Sequence, residues 1–158
     1  MMSLSIGPAD PAFVRETLTD AFGSTMMAIH GALIDARGDG AAAAYRDGYP
    51  IALLTYRDDG AGGWEVLSLV SIVPGAGAGT ALLDWLAAEA HSQAVHRLWL
   101  ITTNENINAL AFYQRRGWNL TRLDEDAVTR ARSLKPTIPL ESGGIPIRHE
   151  LELELNLR

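Results

Sequence analysis

Val70–Leu83 reads VSIVPGAGAGTALL. An apolar run enters three alternating glycines, Gly75, Gly77 and Gly79, and continues without a break into an amphipathic segment. Glycine leaves backbone N–H groups uncovered, and in the first turn of a helix those groups carry the positive end of the helix dipole. The stretch therefore predicts a strand, a tight turn and a helix whose N-terminus suits a phosphate. Glycine-rich turns also arise for structural reasons alone, so the surrounding sequence has to decide.

Outward from the turn, Thr80–Gln93 continues as the helix, with Leu82, Leu83, Leu86, Ala87 and Ala90 facing the core. Arg97–Thr103 (RLWLITT) reads as a buried strand. The unit from Trp64 to Thr103 is thus strand, turn, helix, strand, and such a crossover makes a parallel pair. Upstream, Ala41–Arg46, a turn at Asp47-Gly48 and Pro50–Tyr56 form a hairpin. Asp58–Gly63 (DDGAGG) then turns the chain into Trp64–Val73, so three antiparallel strands precede the glycines. Further out, Ser3–Gly7 reads as a first strand. A helix follows, capped at Asp10-Pro11 and stopped at Gly23, with Val14, Leu18, Ala21 and Phe22 inward. Ser24–Arg37 has apolar residues without a clean period. Downstream come a helix over Asn108–Arg116 closed by Gly117, a strand over Trp118–Leu123 and a short helix over Asp124–Ser133. Pro136–Pro146 reads as an ordered loop, and Leu151–Leu157 (LELELNL) alternates at period two.

The 158 residues are 47% hydrophobic and 20% charged, which suits one globular domain spanning 1–158. A net charge of −6 argues against nonspecific nucleic-acid binding, which needs clustered Lys and Arg. With no cysteine, disulfides, thiolate metal sites and cysteine nucleophiles are excluded. The opening MMSLSIGPADPAF lacks a basic region followed by an apolar one, and no apolar run reaches ~20 residues. A cytoplasmic protein with no membrane association is the expectation. No His-Glu pairs or Asp clusters stand at ligand spacing, so no metal is expected.

Two ligand classes place a pyrophosphate on such a turn: nicotinamide or flavin dinucleotides, and coenzyme A. A dinucleotide fingerprint needs its third glycine three positions after the second, and that position is Thr80. The acidic residue it expects on the next strand could only be Glu105, which falls late. Three antiparallel strands ahead of the loop also fit that class poorly.

Pro74–Leu83 (PGAGAGTALL), followed by Asn106–Trp118 (NINALAFYQRRGW), resembles the GNAT superfamily of acyl-CoA-dependent N-acetyltransferases. The first segment is similar to the family's pyrophosphate loop. The second is similar to its N-x-x-A-x-x-x-Y-x-x-x-G-[FW] segment, with Asn106, Ala109, Tyr113, Gly117 and Trp118 in place. The order of elements from Ala41 to Leu123 matches as well. The chain departs from the pattern at Pro74, where the family usually carries Arg or Gln, and its loop is shorter. Phosphate binding would then rest on the backbone of Gly75, Gly77, Ala78, Gly79 and Thr80, with the Thr80 hydroxyl, and cofactor affinity is expected to be weaker.

The resemblance implies acetyl transfer from acetyl-CoA to a primary amine by direct attack, in an α/β domain with a mixed, mostly antiparallel twisted sheet. Helices would cover both faces, and the parallel pair would splay at the CoA site. It implies Tyr113 as the acid that protonates the leaving thiolate, since a phenol with pKa near 10 keeps its proton at neutral pH. The backbone of Val70 and Ile72 would pair with the pantetheine arm as an added strand, and the Ile72 amide would donate to the thioester oxygen. Asn106 is similar to the family's CoA-contacting asparagine and equally suits a helix cap. Glu65 lies on the strand feeding the loop, from which many members supply a carboxylate, and it is the first candidate base. His30, Asp35 and Glu150 are further candidates, and Arg148 and Glu150 border the expected acceptor region. Glu150, Glu152, Glu154 and Asn156 are expected to form a solvated strand face. Net acidity favours a small cationic acceptor, and a homodimer is compatible with the family. The alternatives are a CoA-binding regulatory module without catalysis and, further off, a nicotinamide-dependent oxidoreductase.

Overall fold

The structure is a computed structural model that describes residues 3–158. In chain order the elements are β1 (Leu4–Pro8), α1 (Pro11–Phe22), β2 (Met26–Ile29), β3 (Ala32–Asp35), β4 (Gly40–Arg46), β5 (Tyr49–Asp58), β6 (Gly63–Ser71) and α2 (Ala78–Ser92). They continue with β7 (Arg97–Thr103), α3 (Ile107–Arg115), β8 (Asn119–Asp124), α4 (Ala127–Ala131), β9 (Glu141–Ser142), β10 (Ile145–Pro146) and β11 (Glu150–Asn156). Two compact units share this chain. The first holds residues 3–25, Ala36–Leu98 and Leu157–Arg158, and the second Met26–Asp35 and Trp99–Asn156.

In the first unit β1, β4, β5 and β6 are hydrogen-bonded in that order, each pair antiparallel. The β4–β5 hairpin closes at Asp47 and Gly48, with φ of 53° and 80°. Two positive φ values in a two-residue turn match the twist of the strands it joins. Ala42–Ala44 and Ala52–Leu54 are buried without alternation, so both faces of these strands are covered. α2 lies against β1, β4, β5 and β6 and buries Leu82, Leu83, Leu86 and Ala90. α1 begins where Asp10 accepts the Ala12 N–H at 2.7 Å and ends at Gly23 in the left-handed region. Its inward residues are Val14, Thr17 and Leu18, while Phe22 is 40% exposed. Ala21 is exposed too, which corrects the expected stripe at its last two positions.

The second unit contains the stretch whose period was unreadable, and it is a hairpin, β2–β3, turning at His30 (φ 56°) and Gly31 (φ 71°). Ala28 is its one fully buried apolar residue, while Met26 and Leu33 are exposed. A hairpin with so little buried surface writes no strand pattern into its sequence. β7, β11 and β8 follow in that order, β11 running antiparallel to β8. The loop over Pro136–Pro146 contains the small β9–β10 pair around Gly143 and Gly144. The solvated face expected on β11 is corrected at its first position, since Glu150 is only 4% exposed and Glu152 and Glu154 are half-buried. No helix among the described residues is long and apolar enough to cross a membrane.

Candidate active site

The glycine turn leads from β6 into α2. Gly75 and Gly77 have φ of 78° and 76°, and a Cβ at either would meet nothing within 4 Å. The positive φ requires glycine here, and the open space leaves room for a ligand against the backbone. Gly77 caps α2 without any side-chain hydrogen bond, and the first bond of the helical ladder runs from the Ala81 N–H to the Gly77 carbonyl at 3.1 Å. The amides of Ala78, Gly79 and Thr80 precede that ladder, at the positive end of a 15-residue helix. Backbone donors, room and dipole thus coincide at the expected phosphate position, and the residues fit a diphosphate.

β6 fixes which amides face which edge. Val70 stands directly opposite Leu53 on β5, and the Ile72 N–H donates to the Ile51 carbonyl at 2.8 Å. Amide direction alternates along an antiparallel strand, so Val70 and Ile72 both turn their backbone toward β5. Leu69 and Ser71 turn theirs to the other edge. This corrects the expectation that Val70 and Ile72 offer the pairing edge and that Ile72 donates to a thioester. The sequence left this parity unread, because period-two parity depends on a register that sequence alone does not fix.

Glu65 is fully buried, and its Oε1 accepts from both Nε and Nη2 of Arg57, each at 2.8 Å. The two residues are direct cross-strand partners on β5 and β6. A carboxylate so held serves as a buried counterion, in an arrangement opposed to the role of base expected for it.

In the second unit, Asn106 caps α3: its Oδ1 accepts the Ala109 N–H at 3.3 Å, and its Nδ2 donates to Thr102 Oγ1 at 3.3 Å. The capping role foreseen for it is present, and it occupies the Ala109 amide. Tyr113 is the buried residue of α3, with ring centroids 5.2 Å from both Phe112 and Trp118. Burial pushes its phenol above the ordinary value of 10.0, and the nearby Arg116 guanidinium pulls it partly back. The group therefore keeps its proton at neutral pH.

Asn104, two residues before the cap, went unnoticed in the sequence. Its Oδ1 accepts the N–H groups of Arg148 and His149, both at 2.9 Å, and its Nδ2 donates to the Pro146 carbonyl at 2.9 Å. It pins the segment entering β11, where Glu150 begins. Glu150 accepts a hydrogen bond from the His30 backbone, and desolvation raises its pKa above the ordinary carboxylate range against partial opposition from His30. Arg148 forms an ion pair with Asp126 at 3.1 Å. Asp35 pairs with Met26 across the β2–β3 hairpin. Among the described residues no group of three or more His, Asp or Glu is arranged to hold a metal ion.

The sequence model of the acetyltransferase (GNAT) family matches residues 12–118. A Bacillus subtilis protein, YdhI, described as uncharacterized, is 41% identical over 143 residues, 87% of this chain and 89% of its own. Two solved structures share the fold at TM-score 0.72. An IAA acetyltransferase from Bacillus cereus is 18% identical and covers 99% of both chains. A Bacillus subtilis acetyltransferase in complex with CoA is 15% identical and covers 100% of both. Their likeness shows the mixed α/β fold that the sequence predicts, mostly antiparallel with one parallel pair. On the family match and the 41% identity, the chain belongs to the acetyltransferase (GNAT) family.

Proposed function

We propose that this chain, as one domain over residues 1–158, moves an acetyl group from acetyl-CoA to a primary amine by direct attack. The observation that carries the reading is the α2 N-terminus. There, two left-handed glycines with open space beside them precede a helix that has no side-chain cap. The diphosphate of acetyl-CoA takes the backbone N–H groups from Gly75 to Thr80, with the Thr80 hydroxyl. With Pro74 where relatives carry Arg or Gln, no loop guanidinium adds to this grip, and affinity is lower than in such relatives. The pantetheine arm pairs with the amides of Leu69 and Ser71, on the edge of β6 away from β5. Asn106 and Ala109 border the cofactor while serving as the α3 cap.

Attack of the amine on the thioester carbonyl forms C–N and breaks C–S. Tyr113 meets the charge that gathers on sulfur. Even at its ordinary value, a phenol passing its proton to a thiolate of pKa about 8.5 works uphill by about 2 kcal/mol. The burial of Tyr113 steepens that climb, so its main contribution is a hydrogen bond that strengthens as the thiolate develops. In this reading the protein works in the cytoplasm on a small cationic amine, which its net charge of −6 favours. The pairing of Glu65 with Arg57 favours one second reading, a CoA-binding module without catalysis.

Thermal shift with acetyl-CoA, CoA and NADH, beside thiol release over a panel of amines, separates these. Acetyl-CoA should raise the melting temperature, and at least one amine should release thiol. Stabilisation without thiol release from any amine leaves the binding module, and stabilisation by NADH alone overturns both readings.

A further inference from the structure

Glu65 and Glu150 are the two buried glutamates, and they differ in company. Glu65 has a guanidinium at 2.8 Å. Glu150 has no cation within ion-pair distance among the described residues. The groups facing it are few. From the β2–β3 turn, His30 gives its backbone N–H and sets its imidazole nearby. From β8, Asp124 stands directly opposite in register. From α4, Arg130 approaches, but its guanidinium is tied to Asp124 at 2.8 Å and to the Glu125 carbonyl at 3.0 Å. β7 lies on the other side of β11, where the Asn104 N–H donates to the His149 carbonyl, and this register sets the uncharged Thr103 opposite Glu150. Arg130 and Asp124 offset one another, so among the described residues the Glu150 carboxylate has no ion-paired cation of its own. A buried carboxylate without a partner cation is expensive.

The cover over this carboxylate is the His30 turn, and its ring meets Trp99 edge-on at 5.4 Å. The cover is weakly held, since β2–β3 buries only Ala28 fully and leaves Met26 37% and Leu33 48% exposed. Such an element opens at low cost. By contrast Glu65 lies in β6, where Trp64–Ser68 are buried in succession. The base end is built rigidly from the other side: three hydrogen bonds of the Asn104 side chain fix residues 146–149 at the start of β11.

We propose that Glu150, under the His30 turn, receives the ammonium of the acceptor and takes its proton. This assignment rests on the acetyl-transfer reading above. The ammonium supplies a partner cation on binding. One N–H bond then breaks, its proton forming an O–H bond on Glu150, and the freed amine attacks the thioester. The sulfur, hydrogen-bonded by the Tyr113 phenol, takes the second N–H proton, which the nitrogen loses as the amide forms. The proton on Glu150 passes to solvent. One proton leaves overall for each acetyl group moved. Burial raises the pKa of Glu150, which makes it a stronger base than a solvated carboxylate.

The test compares Glu150→Gln with wild type by thiol release across pH, using any panel amine the wild type accepts. The variant should lose about a hundredfold in kcat/KM and should lose the acid limb of the pH profile, while acetyl-CoA still raises its melting temperature. A retained rate and acid limb overturn the assignment even where transfer itself is established. If wild type releases thiol with no amine, the acetyl-transfer reading fails by itself, and millimolar n-butylammonium chloride decides Glu150. Stabilisation of wild type but not of the variant supports the ammonium site, and an equal response of both overturns it. Should Glu150→Gln not fold, Glu150→Asp takes its place: the acid limb should persist with a rate about tenfold lower, and an unchanged rate overturns the assignment.

Discussion

Replacing Arg57 by Ala takes a guanidinium away from the buried Glu65 carboxylate. At 2.8 Å and an effective dielectric of about 20, the direct attraction is of order 6 kcal/mol before desolvation is subtracted. Removing one partner of a buried pair costs about 3–5 kcal/mol, because the remaining charge stays behind without compensation. The Arg57 side chain is 31% exposed and that of Glu65 0%, so water can enter where the guanidinium was, which points to about 3 kcal/mol. For a chain of this length that corresponds to about 6–12 °C in melting temperature. Calorimetry near neutral pH reads it directly. Arg57→Met with Glu65→Met should recover most of the loss, since apolar residues of similar volume leave no buried charge. A single variant within about 2 °C of wild type, or a double variant no better than the single, would refute the counterion role.

Tyr113→Phe should lower kcat by at least about tenfold while the acetyl-CoA dissociation constant changes less than about threefold; an unchanged kcat removes the phenol from the reaction. Gly77→Ala meets no atom within 4 Å but must hold a φ of 76°, a cost of about 1–2 kcal/mol that should weaken acetyl-CoA binding about five- to thirtyfold. Gly48→Ala, strained alike at φ 80° in the β4–β5 turn, should lose stability without touching that binding; equal effects on affinity would sink the loop assignment. The pKa of Glu150 is raised in the folded protein, so the native state holds a proton that the unfolded chain releases, and stability falls as pH rises through that range. Glu150→Gln removes this slope, so its melting temperature relative to wild type should be higher at about pH 8 than at about pH 4, and the opposite trend would contradict the burial argument.

The elements were legible where local chemistry dictates them. Asp10-Pro11 and Gly23 bracket α1, Asp47-Gly48 makes the hairpin turn, and the glycines of the α2 turn adopt the positive φ that only their lack of a Cβ makes cheap. The β2–β3 hairpin was hidden because His30, at φ 56°, stands where Asn or Asp would announce the turn, and its exposed strands carry no stripe. At the candidate site, motif spacing located the glycine turn before α2 and the Asn106 cap of α3. What spacing does not carry is parity and pairing. The edge to which each β6 amide turns depends on the register with β5, and the burial of Glu65 depends on Arg57 directly across from it. LELELNL reads as a half-solvated strand, but the closeness of His30 to Glu150 is a tertiary contact between segments far apart in the chain.

A crystal structure with acetyl-CoA is the most direct measurement of all. The account places the diphosphate against the N–H groups that open α2, next to Gly77, with the pantetheine arm along Leu69 and Ser71. Density for the diphosphate anywhere else would contradict it.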